Sequence, residues 1–170
     1  MNKAVLALSA VSAISISSTA LADLRVQFIE GAPKDRFVIT NVGDCELSAG
    51  QLEINFVNSN AGLIFDVTGT GEGVEVFQPF EVTAGSRYLT AQPSIEDGDQ
   101  RANLDMSGLG VDETIAFTID VDDTIGTRAI TVKNGEITGS TVSLYTDGTT
   151  YSAVMDAQAQ VSLTTPTCGA

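Results

Sequence analysis

From Asp23 onward, apolar side chains recur at every second position, and that spacing commits the chain to β-strands. Leu24, Val26 and Phe28 alternate with Arg25 and Gln27. Leu52, Ile54 and Phe56 alternate with Glu53 and Asn55, and Ile115, Phe117, Ile119 and Val121 share one face. Turn-forming clusters separate the runs, among them Asn58-Ser59-Asn60-Ala61-Gly62 and Gly69-Thr70-Gly71-Glu72-Gly73. Past residue 22, no segment sustains the period of an amphipathic helix. About ten short strands, with turns roughly every 8–12 residues, predict an all-β, single-domain, two-sheet sandwich, immunoglobulin-like in architecture.

The pattern also makes local predictions. Residues 101–106 and 114–121 read as hairpin partners joined by Ser107–Glu113. Val74 to Val82 reads as a strand that Pro79 confines to an edge or a bulge, and Arg87 to Thr90 as another. Asn134-Gly135 carries a strong hairpin signal between 130–133 and 136–145, with a bulge expected at Gly139. The alternation from Tyr151 to Leu163 predicts one long strand. The core should hold Phe28, Ile39, Leu52, Ile54, Phe56, Ile115, Phe117, Ile119, Tyr151, Met155, Val161 and Leu163.

Residues 1–22 read as a secretory signal peptide. Lys3 precedes an apolar stretch interrupted by serines, and Ala20-Leu21-Ala22 supplies the small residues a peptidase needs, with cleavage before Asp23. The expected location is therefore periplasmic, extracellular or cell-surface, with no membrane insertion after cleavage. Residues 23–170 leave 148 of the 170 for the sandwich, enough for a full core. Cys45 and Cys168 both fall in this part, and an even pair in an exported chain predicts a disulfide. Such a bridge closes a long loop, worth roughly 4–5 kcal/mol by chain entropy.

The segment 1–22 contains one of the eight basic residues and none of the 22 acids, so the exported part carries 7 − 22 = −15. That charge repels nucleic acid and anionic membranes and attracts divalent cations. Solubility alone is the competing account of it. The chain has no histidine, which excludes Ser-His-Asp and Cys-His nucleophilic sites and removes the commonest transition-metal ligand. The glycine-rich run 69–73 carries Glu72 where a phosphate would want a cation, so it reads as a tight connection. A paired-carboxylate glycosidase needs only Asp and Glu, but this chain has no tryptophan and three tyrosines to supply sugar platforms. The chain therefore reads as a non-enzyme.

Nine of the 22 acids lie between residues 96 and 123. Glu96, Asp97 and Asp99 precede the first of the two supposed hairpin strands; Asp120, Asp122 and Asp123 end the second. If those strands pair, both acid-rich loops emerge at one end of the sandwich. Six carboxylates there suit calcium, which takes six to eight oxygens in a flexible shell. The spacing matches no EF-hand loop, and acids solvated at loop tips are the alternative.

Several stretches resemble a known family: Glu30-Gly31-Ala32-Pro33-Lys34-Asp35-Arg36-Phe37, Asn41-Val42-Gly43-Asp44-Cys45, Gly62-Leu63-Ile64-Phe65-Asp66-Val67, Gly73-Val74-Glu75-Val76-Phe77-Gln78-Pro79 and Ala116-Phe117-Thr118-Ile119-Asp120-Val121-Asp122-Asp123-Thr124. They look like small exported bacterial proteins named after the sponge aggregation factor core. The resemblance implies adhesion, calcium-dependent in the sponge factor and carried there largely by glycans. It brings no binding residues with it. This chain has no Asn-x-Ser/Thr sequon, so a glycan-borne mechanism does not transfer. The expectation is an exported adhesion or surface-recognition domain whose partner is a cell-surface protein, a polysaccharide or a second copy of itself. A structural envelope or matrix protein without a specific ligand is the alternative.

Overall fold

The computed structural model describes residues 22–32, 34–73, 77–125 and 131–165. Residues 1–21 of the proposed signal peptide and Cys168 lie outside the described residues. Among the described residues ten strands form two antiparallel sheets, the sandwich that the alternation predicts. The strands are β1 (Ala22–Ile29), β2 (Asp35–Asn41), β3 (Gly50–Asn55), β4 (Ile64–Asp66), β5 (Glu81–Ala84), β6 (Arg101–Met106), β7 (Thr114–Asp122), β8 (Thr141–Thr146), β9 (Thr149–Val154) and β10 (Gln160–Thr165). One sheet runs β10-β1-β2-β7-β4, with β5 also pairing β7; the other runs β6-β3-β8-β9. Among the described residues, no helix is long and apolar enough to cross a membrane.

The core lies between the sheets. Every predicted core residue is buried except Tyr151, which is half-buried on β9 at the sheet's edge. Phenylalanines run through its centre: Phe37 stacks on Phe117 at 5.1 Å, and Phe28 and Phe80 flank the pair at 5.2 and 4.7 Å. Phe56 and Phe65 lie 4.7 Å apart.

Six local expectations fail. The 101–106 and 114–121 strands are not partners: β6 pairs β3, whereas β7 pairs β2, β4 and β5. Ser107–Glu113 instead crosses between the sheets. Leu109 is fully buried and exchanges backbone hydrogen bonds with Leu47 at 2.9 and 3.1 Å. Asn134-Gly135 makes no hairpin but opens a short helix, α1 (Asn134–Ile137). Glu136 closes it, its carboxylate accepting the Lys133 N–H at 2.6 Å, and the turn carries Val132 and Ile137 into the core. The hairpin forms at Asp147-Gly148, whose φ values of 50° and 73° suit a two-residue turn between β8 and β9.

The alternation from Tyr151 to Leu163 covers two strands in different sheets. The Asp156 carboxylate accepts the N–H groups of Gln158 and Gln160 at 2.9 and 3.1 Å, which turns the chain between β9 and β10. Gly139 makes no bulge; it sits in a turn at φ 93°, where a Cβ would collide with the Asn58 carbonyl. Arg87 to Thr90 holds a 3-10 turn, Ser86–Tyr88, and Leu89 makes a single bridge to Met106. Residues 77–80 are irregular, so Pro79 precedes β5 rather than interrupting a strand; 74–76 lie outside the described residues.

Candidate metal centre

Asp120 and Asp122 alternate along β7 with Ile119 and Val121, which point into the core, so the two carboxylates leave the opposite face. Strand β4 runs antiparallel alongside and sets Asp66 directly across from Asp120. One carboxylate oxygen from each of Asp66, Asp120 and Asp122 lies within 4.8 Å of the others. Two ligands of one calcium can be no more than about 5 Å apart, because each bond is 2.3–2.6 Å long. The three residues are buried, at 1%, 6% and 2% exposure.

The glycine-rich connection after β4 provides the cover. A Cβ on Gly73 would overlap the carboxylates of Asp66 and Asp122, and one on Gly71 would overlap that of Asp97. Backbone can lie this close to acids only without a side chain. Asp97 pins the connection, its Oδ1 accepting the Val67 and Thr68 N–H groups and its Oδ2 the Glu72 N–H, each at 3.0 Å. Burial works against ionisation of Asp97, but these three donors outweigh it and hold the carboxylate below its ordinary range.

Asp66 has no such donors. Both its oxygens are buried and without a hydrogen-bond partner, and its neighbours are the carboxylates of Asp97 and Asp122. Carboxylates only accept, so a proton or a cation has to lie between them. Burial, reinforced by those two acids, raises the Asp66 pKa to about 7. Burial and the charge of Asp122 raise Asp120 to about 7 as well. On the neighbouring strand Asp35 accepts the Gly31 and Val121 N–H groups at 3.1 Å each. Burial still lifts it to about 7. Among the described residues the ion pairs are Lys34–Glu81, Arg87–Glu113 and Arg101–Glu53, and none neutralises Asp66 or Asp120.

Of the six acids expected as ligands, Asp120 and Asp122 enter the cluster and Asp97 borders it through Asp66. Asp99 closes its own turn, accepting the Glu96 N–H at 2.8 Å, while the Glu96 side chain is exposed. Asp123 is buried but stands outside the group. Asp66 is the member of the cluster that the charge count missed. Its signal is a single acid inside the apolar run Leu63-Ile64-Phe65-Asp66-Val67, followed at once by glycines that leave it room. Cys45 is half-buried against the core, and its expected partner lies outside the described residues.

No family model matches the chain, and no curated protein does. A family GH18 chitinase from Chromobacterium violaceum aligns with 83% of this chain and 20% of its own length, at 14% identity and a TM-score of 0.38. A likeness that loose carries no argument.

Proposed function

We propose that the chain is an exported, non-catalytic adhesion or surface-recognition domain whose acidic flank binds calcium. One observation carries the reading: Asp66 is buried with both oxygens unpartnered, facing other carboxylates. Oxygen-only ligands and the absence of histidine favour a hard cation over a transition metal. At 1–6% exposure the three acids are also too enclosed for a sugar ring to reach, which argues against glycosidase chemistry.

The cation's role follows from what surrounds it. Asp97 ties the 67–72 connection to the 94–100 loop, which forms one wall of an open, polar groove of about 480 Å³. Ser94, Gly98, Asp99, Gln100, Arg101 and Asn103 line it with Val57. A cation held by Asp66 relieves the repulsion beneath that wall and fixes the groove for a cell-surface protein or polysaccharide. The test is retention of the protein on intact cells of the organism that exports it, in calcium and in chelator. Calcium-dependent retention that Asp66→Asn abolishes supports the proposal. Equal retention in both conditions favours an envelope or matrix protein without a specific ligand.

A further inference from the structure

Opposite the acidic flank the sandwich ends in β9, an edge that no other described residue protects. Natural sheets blunt their edges with charges, bulges, short strands or covering chain, because open backbone groups recruit other strands. Three of the other edges follow that rule; β10, the remaining edge, is uncharged too, and it runs into residues 166–170, outside the described residues. Strand β6 carries Arg101 and Asp105, and the chain at 88–90 lies along it, with Thr90 N–H donating to the Asp105 carbonyl at 2.9 Å. Strand β5 has a bulge and the Lys34–Glu81 ion pair; β4 is three residues long and bonded through Phe65 to the 98–99 loop. Among the described residues, strand β9 has none of these devices. Thr149-Thr150-Tyr151-Ser152-Ala153-Val154 contains no charge, no proline and no glycine.

The hairpin turn fixes which backbone groups face outward. In a two-residue loop the flanking residues, Thr146 and Thr149, exchange hydrogen bonds, and bonded pairs then alternate along the ladder. Tyr151 and Ala153 therefore bond to β8, whereas the N–H and C=O groups of Thr150, Ser152 and Val154 point away from it. The 2.8 Å contact between the Ser143 and Ser152 hydroxyls agrees, since side chains approach more closely in non-bonded pairs. Among the described residues, no backbone group meets those of Thr150, Ser152 and Val154.

We infer that two copies of this chain join edge to edge through β9, antiparallel about a two-fold axis at Ser152. This register sets Ser152 opposite its symmetry mate and Thr150 opposite Val154, so the three outward-facing residues of each copy meet their counterparts as bonded pairs. Charge selects the occupant. On a chain of net charge −14, β8, β9 and β10 are the consecutive strands without an ionised side chain. Two copies can approach there without setting carboxylate against carboxylate. Val154 and Tyr145, 59% and 54% exposed on the outer face of the β8–β9 hairpin, gain cover in the pair. The contact is short, so association is weak and concentration-dependent.

The inference rests on the adhesion reading only for its purpose: pairing at β9 leaves the two acidic flanks at opposite ends, free to bridge two surfaces. Sedimentation equilibrium of the exported protein, in chelator and about 0.15 M salt, tests it. The wild-type mass should climb from one chain towards two as concentration rises. Ser152→Pro should stay at one chain, because it removes an outward N–H while leaving the β8 ladder intact. Ser152→Ala should behave as wild type. If Ser152→Pro fails to fold, Thr150→Glu with Val154→Glu decides instead, placing like charges in both pairs that flank Ser152. A wild-type protein that stays at one chain, or edge variants that pair as it does, overturns the inference. Chelator keeps this separate from the calcium reading: self-association there without calcium-dependent cell retention sinks the function proposal alone, and the reverse result sinks this one alone.

Discussion

Phe117 is fully buried with Phe37 stacked on one side and Phe80 packed 4.7 Å away, so its ring anchors both β2 and the chain entering β5. Truncating it to alanine leaves a cavity between strands that cannot collapse. Phe117→Ala should cost roughly 3–5 kcal/mol in urea unfolding, and a loss under 1 kcal/mol would show the core to be looser than described. At the acidic cluster the revealing residue is a glycine. Gly73→Ala puts a methyl group where the Asp66 and Asp122 carboxylates lie, so it should weaken calcium binding in calorimetric titration although it removes no ligand. Unchanged affinity would show that the connection is not packed on the acids.

At the scale of elements the two glycine-containing dipeptides separate cleanly. Gly148 holds φ 73° in the β8–β9 turn, whereas Gly135 sits within α1 with open space where a Cβ would go. Gly148→Ala should destabilise by about 1 kcal/mol; Gly135→Ala should be neutral or stabilise by up to about 1 kcal/mol. Thermal melting of the two variants checks both signs. The contrast shows what was legible in the sequence. Alternation identified the strands and most of the core, because burial of one face is a local property. It could not say which strand neighbours which. Asn134-Gly135 and Asp147-Gly148 carry the same hairpin signal, and tertiary burial of Val132 and Ile137 decides between them. Likewise the bend at Asp156 hides inside the period, since apolar residues resume in phase beyond it. The acidic site was half legible for the same reason: Asp120 and Asp122 stand out as a cluster, but Asp66 joins them only through pairing of strands 54 residues apart, since 120 − 66 = 54. The supposed hairpin of 101–106 with 114–121 does not exist, yet Asp97 and Asp122 both reach Asp66.

For the whole molecule the buried acids tie stability to pH. Asp35, Asp66 and Asp120 have folded-state pKa values of about 7, above the roughly 3.9 of an unfolded aspartate, so the folded chain holds more protons between those values. Without metal, the protein should be most stable near pH 4 or below as far as these groups decide, and should lose stability as pH rises towards 7. Urea midpoints in chelator at pH 5 and pH 8 measure that fall; a higher midpoint at pH 8 would contradict it. The proposed Cys45–Cys168 bridge makes a separate prediction, that the unreduced exported protein titrates with no free thiol. Calcium competes with the same protons, and binding to the folded state alone stabilises it by about 2.7 kcal/mol at a hundredfold excess over the dissociation constant. The most direct test of the account is therefore the melting temperature at pH 8, with calcium and with chelator, for the wild type, Asp66→Asn and the double variant Asp120→Asn, Asp122→Asn. Calcium should raise the wild-type melting temperature by several degrees and leave both variants unmoved. A wild-type melting temperature indifferent to calcium would mean that protons, not a cation, lie between these carboxylates.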